Sequence, residues 1–278
     1  LAGGAEAEMM RSLQIHLLYA SIVWIVAWLI TALPRITATT KYWMWIATSV
    51  NFVLPLSLIP ARLWPSQVSW FFPGFAMKSF GVTAPLLALW SAGAAAMAIR
   101  LSLRILRERR DAVSPAVVGL LRTRISLPEG IDRLLDPDEL NAVLAHENRH
   151  ARRHDNLIRL FYEVSLCILW FHPLVWLAGS RLSLYRELSC DDAVDDERAL
   201  ISALAKLANP DNELLLQATA SSFVGDRIAY LLARPGASRL GDRLLAAVFA
   251  AALIAAAVAP ISETAAAYLC ALTHGATR

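Results

Sequence analysis

Charge is scarce in this chain. Asp, Glu, Lys and Arg make up 18% of its 278 residues, against about 25% in an ordinary soluble domain. Hydrophobic residues reach 57% and gather in blocks, which points to membrane spans rather than to an oversized core. Lysine is rarer still, at Lys41, Lys78 and Lys206 only, so arginine carries nearly all the positive charge. The net charge of +3 is small and its arginines are dispersed, which argues against direct nucleic-acid binding. Cys167, Cys190 and Cys270 are an odd number with no C-x-x-C spacing, so neither a disulfide framework nor a thiolate metal site is expected. No internal repeat and no low-complexity linker is visible beyond Ala-rich apolar runs.

What the chain has is four apolar segments of the length a bilayer demands, about 20 helical residues. They cover about residues 13–33, 42–61, 82–99 and 244–261. The first is too long for a signal-peptide core and is preceded by a single Arg11, so it reads as an uncleaved span. Arg100 and Arg104 are placed to snorkel from the end of the third. The connection after the first span carries Arg35 and Lys41, and the far side of the third carries Arg100, Arg104, Arg107, Arg109 and Arg110. Between spans two and three lie only Arg62 and Lys78, among the aromatics Trp64, Trp70, Phe71 and Phe72. The positive-inside rule therefore puts both termini outside and residues of about 100–243 in the cytoplasm. The expected architecture is a mostly α, polytopic membrane protein. Residues 1–99 hold three transmembrane helices, 100–243 a cytoplasmic domain, and 244–278 the fourth helix with a short extracytoplasmic tail.

The cytoplasmic segment opens with a short β-like stretch. Val117 to Leu120 and Arg124 to Leu127 are placed to pair as a hairpin closed off by Pro128. A helix start follows, with Asp136 as N-cap, Pro137 at the first helical position and Glu139 completing a capping box. On that helix sits His146-Glu147-Asn148-Arg149-His150, an H-E-x-x-H sequence. One turn separates the two imidazoles, so both can face one ion. Glu147, rotated by about 100° from His146, reaches the side where an attacking water would sit and can exchange its proton. The competing reading is a solvated, charged helix face, since Arg149, Arg152 and Arg153 flank the motif. A zinc site also needs a third protein ligand. The best candidate is Glu187, on a helix predicted to start at Pro173, with Asp191 one turn beyond on the same face and able to accept from a ligating imidazole. A surface Glu–Asp pair remains the alternative from spacing alone.

Several motifs occur in order: Ser114-Pro115-Ala116-Val117-Val118-Gly119, Leu127-Pro128-Glu129, H-E-x-x-H followed by Asp155, Trp170-Phe171-His172-Pro173, and Arg186-Glu187-Leu188-Ser189-Cys190-Asp191. Through this set the sequence resembles, over nearly the whole chain, the BlaR/MecR family of membrane metallopeptidases. Their zinc domain is inserted between the third and fourth transmembrane helices. The resemblance implies a gluzincin-like domain in the bacterial cytoplasmic membrane, holding one Zn²⁺ through His146, His150 and Glu187. It makes Glu147 the base and Asp191 an outer residue orienting a ligand. Asp155 matches the pattern too, with helix anchoring and ligand orientation both open to it. The substrate implied is a cytosolic repressor of the BlaI/MecI winged-helix type, or the protease itself. Sensor members carry a large extracellular penicillin-binding domain after the fourth span, and this sequence, ending at Arg278, is expected to lack it.

The segment of about 160–178 is apolar enough to pass as a fifth span. If it crossed, His146 and His150 would be separated from Glu187 by about 30 Å of hydrocarbon. Glu163 and the His172-Pro173 break also oppose a continuous span. It is therefore expected to form a helical hairpin, buried or resting on the membrane surface. His154 is expected to be exposed or to sit outside the ligand set, His172 to be a helix cap, and Cys190 to be a small buried thiol. Two readings from other classes compete with the peptidase: a signal transducer whose zinc domain is structural or autoinhibited, and an inactive membrane scaffold. The intact Glu147 disfavours the scaffold.

Overall fold

The computed structural model describes residues 2–33, 36–53, 84–110, 115–208, 223–233, 241–251 and 253. Among the described residues three helices precede the domain that holds the H-E-x-x-H motif: α1 (Ala2–Thr31), α2 (Ala38–Val53) and α3 (Ala84–Arg110). β1 (Ala116–Val118) and β2 (Arg124–Ser126) then pair antiparallel, Ala116 opposite Ser126; the hairpin is the expected one, with its first strand ending at Val118 rather than reaching Leu120. A helical turn α4 (Ile131–Leu134) leads to α5 (Pro137–Arg153), α6 (Asp155–Ile168), α7 (Pro173–Asp191), α8 (Glu197–Leu207) and α9 (Val224–Ala233). Residues 241–251 are again helical.

Local sequence explains the helix starts. The Asp136 carboxylate accepts from the backbone N–H groups of Asp138 and Glu139, and Glu139 accepts from that of Asp136 at 2.9 Å. This reciprocal pair satisfies amides that the first turn of α5 leaves orphaned. Pro137 and Pro173 occupy first-turn positions, where a missing N–H is harmless. Between α5 and α6 a single residue, His154, takes the left-handed conformation with φ of 55°. That one kink ends α5 and starts α6 at once, and exposed His154 stays clear of the site, as expected.

Packing divides the molecule into two regions. On one side α1, α2, α6 and α7 share a core in which Tyr42 and Trp45 are fully buried and Trp24 meets Trp45 edge-on at 5.6 Å. The other gathers α5, α8 and α9 around Ala142, Val143, Leu200, Ala203 and Leu231. Glu139 ties α5 to α8 by accepting from Ser202 at 2.5 Å and from Lys206 at 2.6 Å.

Among the described residues one helix is long and apolar enough to cross a membrane, Ala84–Arg107, and none of it is buried. This is the third of the four expected spans. The apolar part of α1, His16–Thr31, is shorter. The second expected span is helical over Ala38–Val53 and the fourth over 241–251, while 54–61 and 254–261 lie outside the described residues. The apolar segment of about 160–178 is a helical hairpin, α6 and α7 joined at 169–172, and does not run straight through.

Candidate metal centre

Helix α5 delivers two imidazoles to one point. His146 and His150 lie one turn apart, and their Nε2 atoms approach to 3.1 Å. Helix α7, antiparallel in the hairpin and reached through 36 intervening residues of chain, brings the third group. Glu187 Oε2 lies 3.5 Å from His146 Nε2 and 3.7 Å from His150 Nε2. Donors held tetrahedrally at about 2.0–2.1 Å from one ion would be about 3.3–3.4 Å apart, so this triangle fits a small divalent cation. The three residues form a metal-capable group by proximity, and two imidazoles with one carboxylate is a donor set that suits zinc.

The outer face of each imidazole is held by a carboxylate. Asp191 Oδ1 is 2.9 Å from His146 Nδ1 and is wholly buried. Asp155 Oδ2 is 2.6 Å from His150 Nδ1. Such bonds fix the tautomer so that Nε2 is left as the acceptor facing the centre. Asp155 also anchors: it accepts from Tyr42 Oη at 2.8 Å and from Arg153 at 2.6 Å, tying α2 to the site. Asp155 thus contacts α2, Arg153 and His150 at once.

Electrostatics follow from burial and these pairs. Burial alone would raise the pKa of Glu187, but Arg186 beside it and the two imidazoles hold it well below the usual carboxylate range. Asp155 and Asp191 are likewise lowered, against burial, by their histidine and arginine partners. Glu147 goes the other way. Burial pushes its carboxyl above the ordinary value, with Glu187 adding to the effect and His146, His150 and Arg227 opposing it. A carboxylate beside the donor triangle with a raised pKa is a better proton acceptor than a solvated one.

Sequence reasoning misses Arg227. From α9 its guanidinium donates to Asp191 at 2.6 and 2.9 Å, and Nη1 lies 3.8 Å from Glu187 Oε2. A signal did exist: Arg227 and Leu231, four apart, are both buried, so an arginine sits on the apolar stripe of its helix. Cys190 is buried as expected and accepts from Arg153 at 2.9 Å. His150, Asp155 and Cys190 form a second close group. There the His150 nitrogen concerned is Nδ1, already bonded to Asp155. His172 caps α7 by position but makes no side-chain capping bond, and meets Phe52 edge-on at 5.1 Å. A cavity of about 350 Å³ opens beside the centre, bordered by Tyr42, Arg104, Tyr162, Arg186, Glu187 and Arg227.

Comparison with known proteins gives the family. The sequence profile of the family described as BlaR1 peptidase M56 matches residues 88–231. The regulatory protein BlaR1 of Bacillus licheniformis is 36% identical over 97 residues, which cover 34% of this chain and 16% of that protein. The methicillin resistance mecR1 protein of Staphylococcus aureus (strain Mu50 / ATCC 700699) is 28% identical over 78 residues, 28% of this chain and 13% of that protein. This chain thus aligns with under a fifth of either relative's length. No solved structure matches it. The family match spans both the H-E-x-x-H helix and the helices carrying Glu187 and Arg227, and the chain accordingly belongs to the BlaR1 peptidase M56 family of metallopeptidase-type hydrolases.

Proposed function

We propose that this chain is a membrane zinc endopeptidase whose metal is held by His146, His150 and Glu187. The observation that carries this is the convergence of two Nε2 atoms and one carboxylate oxygen within 3.1–3.7 Å of one another. Zinc in such a set supplies Lewis-acid polarisation of a scissile carbonyl and eases deprotonation of the attacking water. Glu147 takes that proton and returns it to the leaving amine. Asp191 and Asp155 keep both imidazoles in the tautomer that presents Nε2. Arg227 holds Asp191 in register.

The substrate we propose is a cytosolic repressor of the BlaI/MecI type or the protease itself, with residues of about 100–243 facing the cytoplasm. The relatives' names, a regulatory protein and a resistance protein, favour a regulatory cleavage. They equally support a second reading, a signal transducer whose zinc domain is structural or autoinhibited. Metal analysis and proteolysis of the purified chain test both. About one zinc per chain is expected, lost in the His146→Ala, His150→Ala double variant, together with cleavage that depends on that zinc. Unchanged metal content in the double variant would refute the ligand assignment, and zinc without cleavage would favour the transducer.

A further inference from the structure

We infer that the tip of the α6–α7 hairpin is a re-entrant element that dips into the hydrocarbon of the bilayer alongside α3. The inference rests on the reading of α3 as a membrane span and is independent of the peptidase chemistry.

The first observation is where the tip docks. Trp90 Nε1 donates to the Ile168 carbonyl at 2.9 Å, and Trp170 Nε1 donates back to the Trp90 carbonyl at 3.2 Å. A Cβ placed at Gly93 would fall inside the Trp170 ring, so glycine is what lets the tip lie against the helix. Gly93 lies within the apolar stretch Ala84–Arg107, seven residues before Arg100, which is about 10 Å along a helix.

The second observation is a shared boundary of charge. Arg104 pairs with Glu163, and Arg100 lies over the Trp176 ring at 5.8 Å, so α3 and the hairpin reach their last charges together. Beyond that level α3 and the hairpin are uncharged: 84–99 of α3 and 164–180 of the hairpin hold no Asp, Glu, Lys or Arg. A waterline drawn through these cations leaves the hairpin tip below it.

The third is how the non-helical backbone at the tip is satisfied. In hydrocarbon, an irregular turn survives only if its polar groups find partners within the protein. The carbonyls of Ser165, Leu169 and His172 accept from the amides of Leu169, His172 and Val175. Those of Ile168 and Trp170 accept from the indoles of Trp90 and Trp176. Meanwhile Phe171 and Leu177 are 48% and 52% exposed, an apolar surface continuous with the unburied face of α3. Lipid is the occupant that matches an apolar surface continuous with a span.

The test places an environment-sensitive fluorophore on Phe171→Cys in full-length chain carrying Cys167→Ser and Cys270→Ser, with buried Cys190 left in place. The protein is reconstituted in phosphatidylcholine vesicles containing lipids spin-labelled either deep in the acyl chain or at the headgroup. Leu89→Cys on α3 serves as the depth reference and Leu121→Cys, in the β1–β2 turn, as the aqueous one. The position-171 probe is expected to lose the same fraction of emission to the deep quencher as the position-89 probe. A Gly93→Leu background should reduce that loss by displacing Trp170. Quenching at 171 as weak as at 121, with 89 strongly quenched, would overturn the inference and leave the span intact. If 89 is also unquenched, the span and the inference fall together. Energy transfer between labelled copies at 171, without lipid quenching, would make a second copy the occupant and overturn it as well.

Discussion

Replacing Asp191 by Asn removes a charge from a fully buried position while keeping the shape of the side chain. Its carboxylate serves two cations or donors: His146 Nδ1 at 2.9 Å, and Arg227 at 2.6 and 2.9 Å. Losing the first weakens a metal ligand from outside, which lowers metal affinity by about 10–100-fold, or about 1.4–2.7 kcal/mol. Losing the second strands a buried guanidinium, a change that costs about 3–5 kcal/mol of stability when a buried partner is removed. Glu187, at 3.8 Å from Arg227, offsets part of it. The two effects separate in the double variant Asp191→Asn, Arg227→Met, where no unpaired charge remains. Zinc affinity by chelator competition and thermal unfolding in detergent should then diverge: Tm recovers toward wild type while zinc affinity stays low. Wild-type zinc affinity in Asp191→Asn, or recovery of affinity together with Tm in the double variant, would refute the role assigned to the carboxylate.

Glu147→Gln should retain zinc and fold but slow peptide cleavage by about 10²–10⁴-fold, whereas Glu187→Ala should lose the metal; equal cleavage by Glu147→Gln and wild type would rule out the base. Glu139 supplies a pH test. Burial would raise its pKa, but Lys206, Ser202 and the Asp136 amide bring it from 4.5 down to about 2. A depressed folded pKa means stability that is fully present above 4.5 and lost as pH falls through about 2. With Lys206 partly exposed, the contribution is about 1–2 kcal/mol at neutral pH. Glu139→Gln should accordingly lower Tm at pH 7 and converge with wild type near pH 2, followed by circular dichroism. For topology, Asp132→Cys in a chain carrying Cys167→Ser and Cys270→Ser should resist an impermeant thiol reagent in intact cells and react after permeabilisation; labelling in intact cells contradicts a cytoplasmic domain.

Much of the site was legible because its rules are local. The four-residue spacing of His146 and His150 is one helical turn, and the capping box at Asp136 depends only on neighbours. The helix beginning at Pro173 likewise follows from the fixed φ of proline. The β1–β2 hairpin falls where its apolar residues and Pro128 place it. Glu187 and Asp191 were legible as a same-face pair but not as partners of α5, since nothing in the 36 residues between His150 and Glu187 encodes the distance between them in space.

What only the tertiary structure decided has a common physical cause: the groups concerned meet across elements far apart in the chain. Arg227 reaches Asp191 from 36 residues away and His146 from 81, and local periodicity marks it only as an arginine on an apolar stripe. Asp155 could be read as anchor or orienter from its position. It touches both His150 and Tyr42 because the left-handed backbone at His154 swings α6 under His150 while α2 brings Tyr42. Hydropathy marks apolar length without direction, and while Glu163 and the His172-Pro173 break favour a folded pair of helices over a span at about 160–178, they leave open where its tip docks. The choice was made by Trp90, Gly93 and Trp170, whose close approach exists only once α3 and the hairpin have come together.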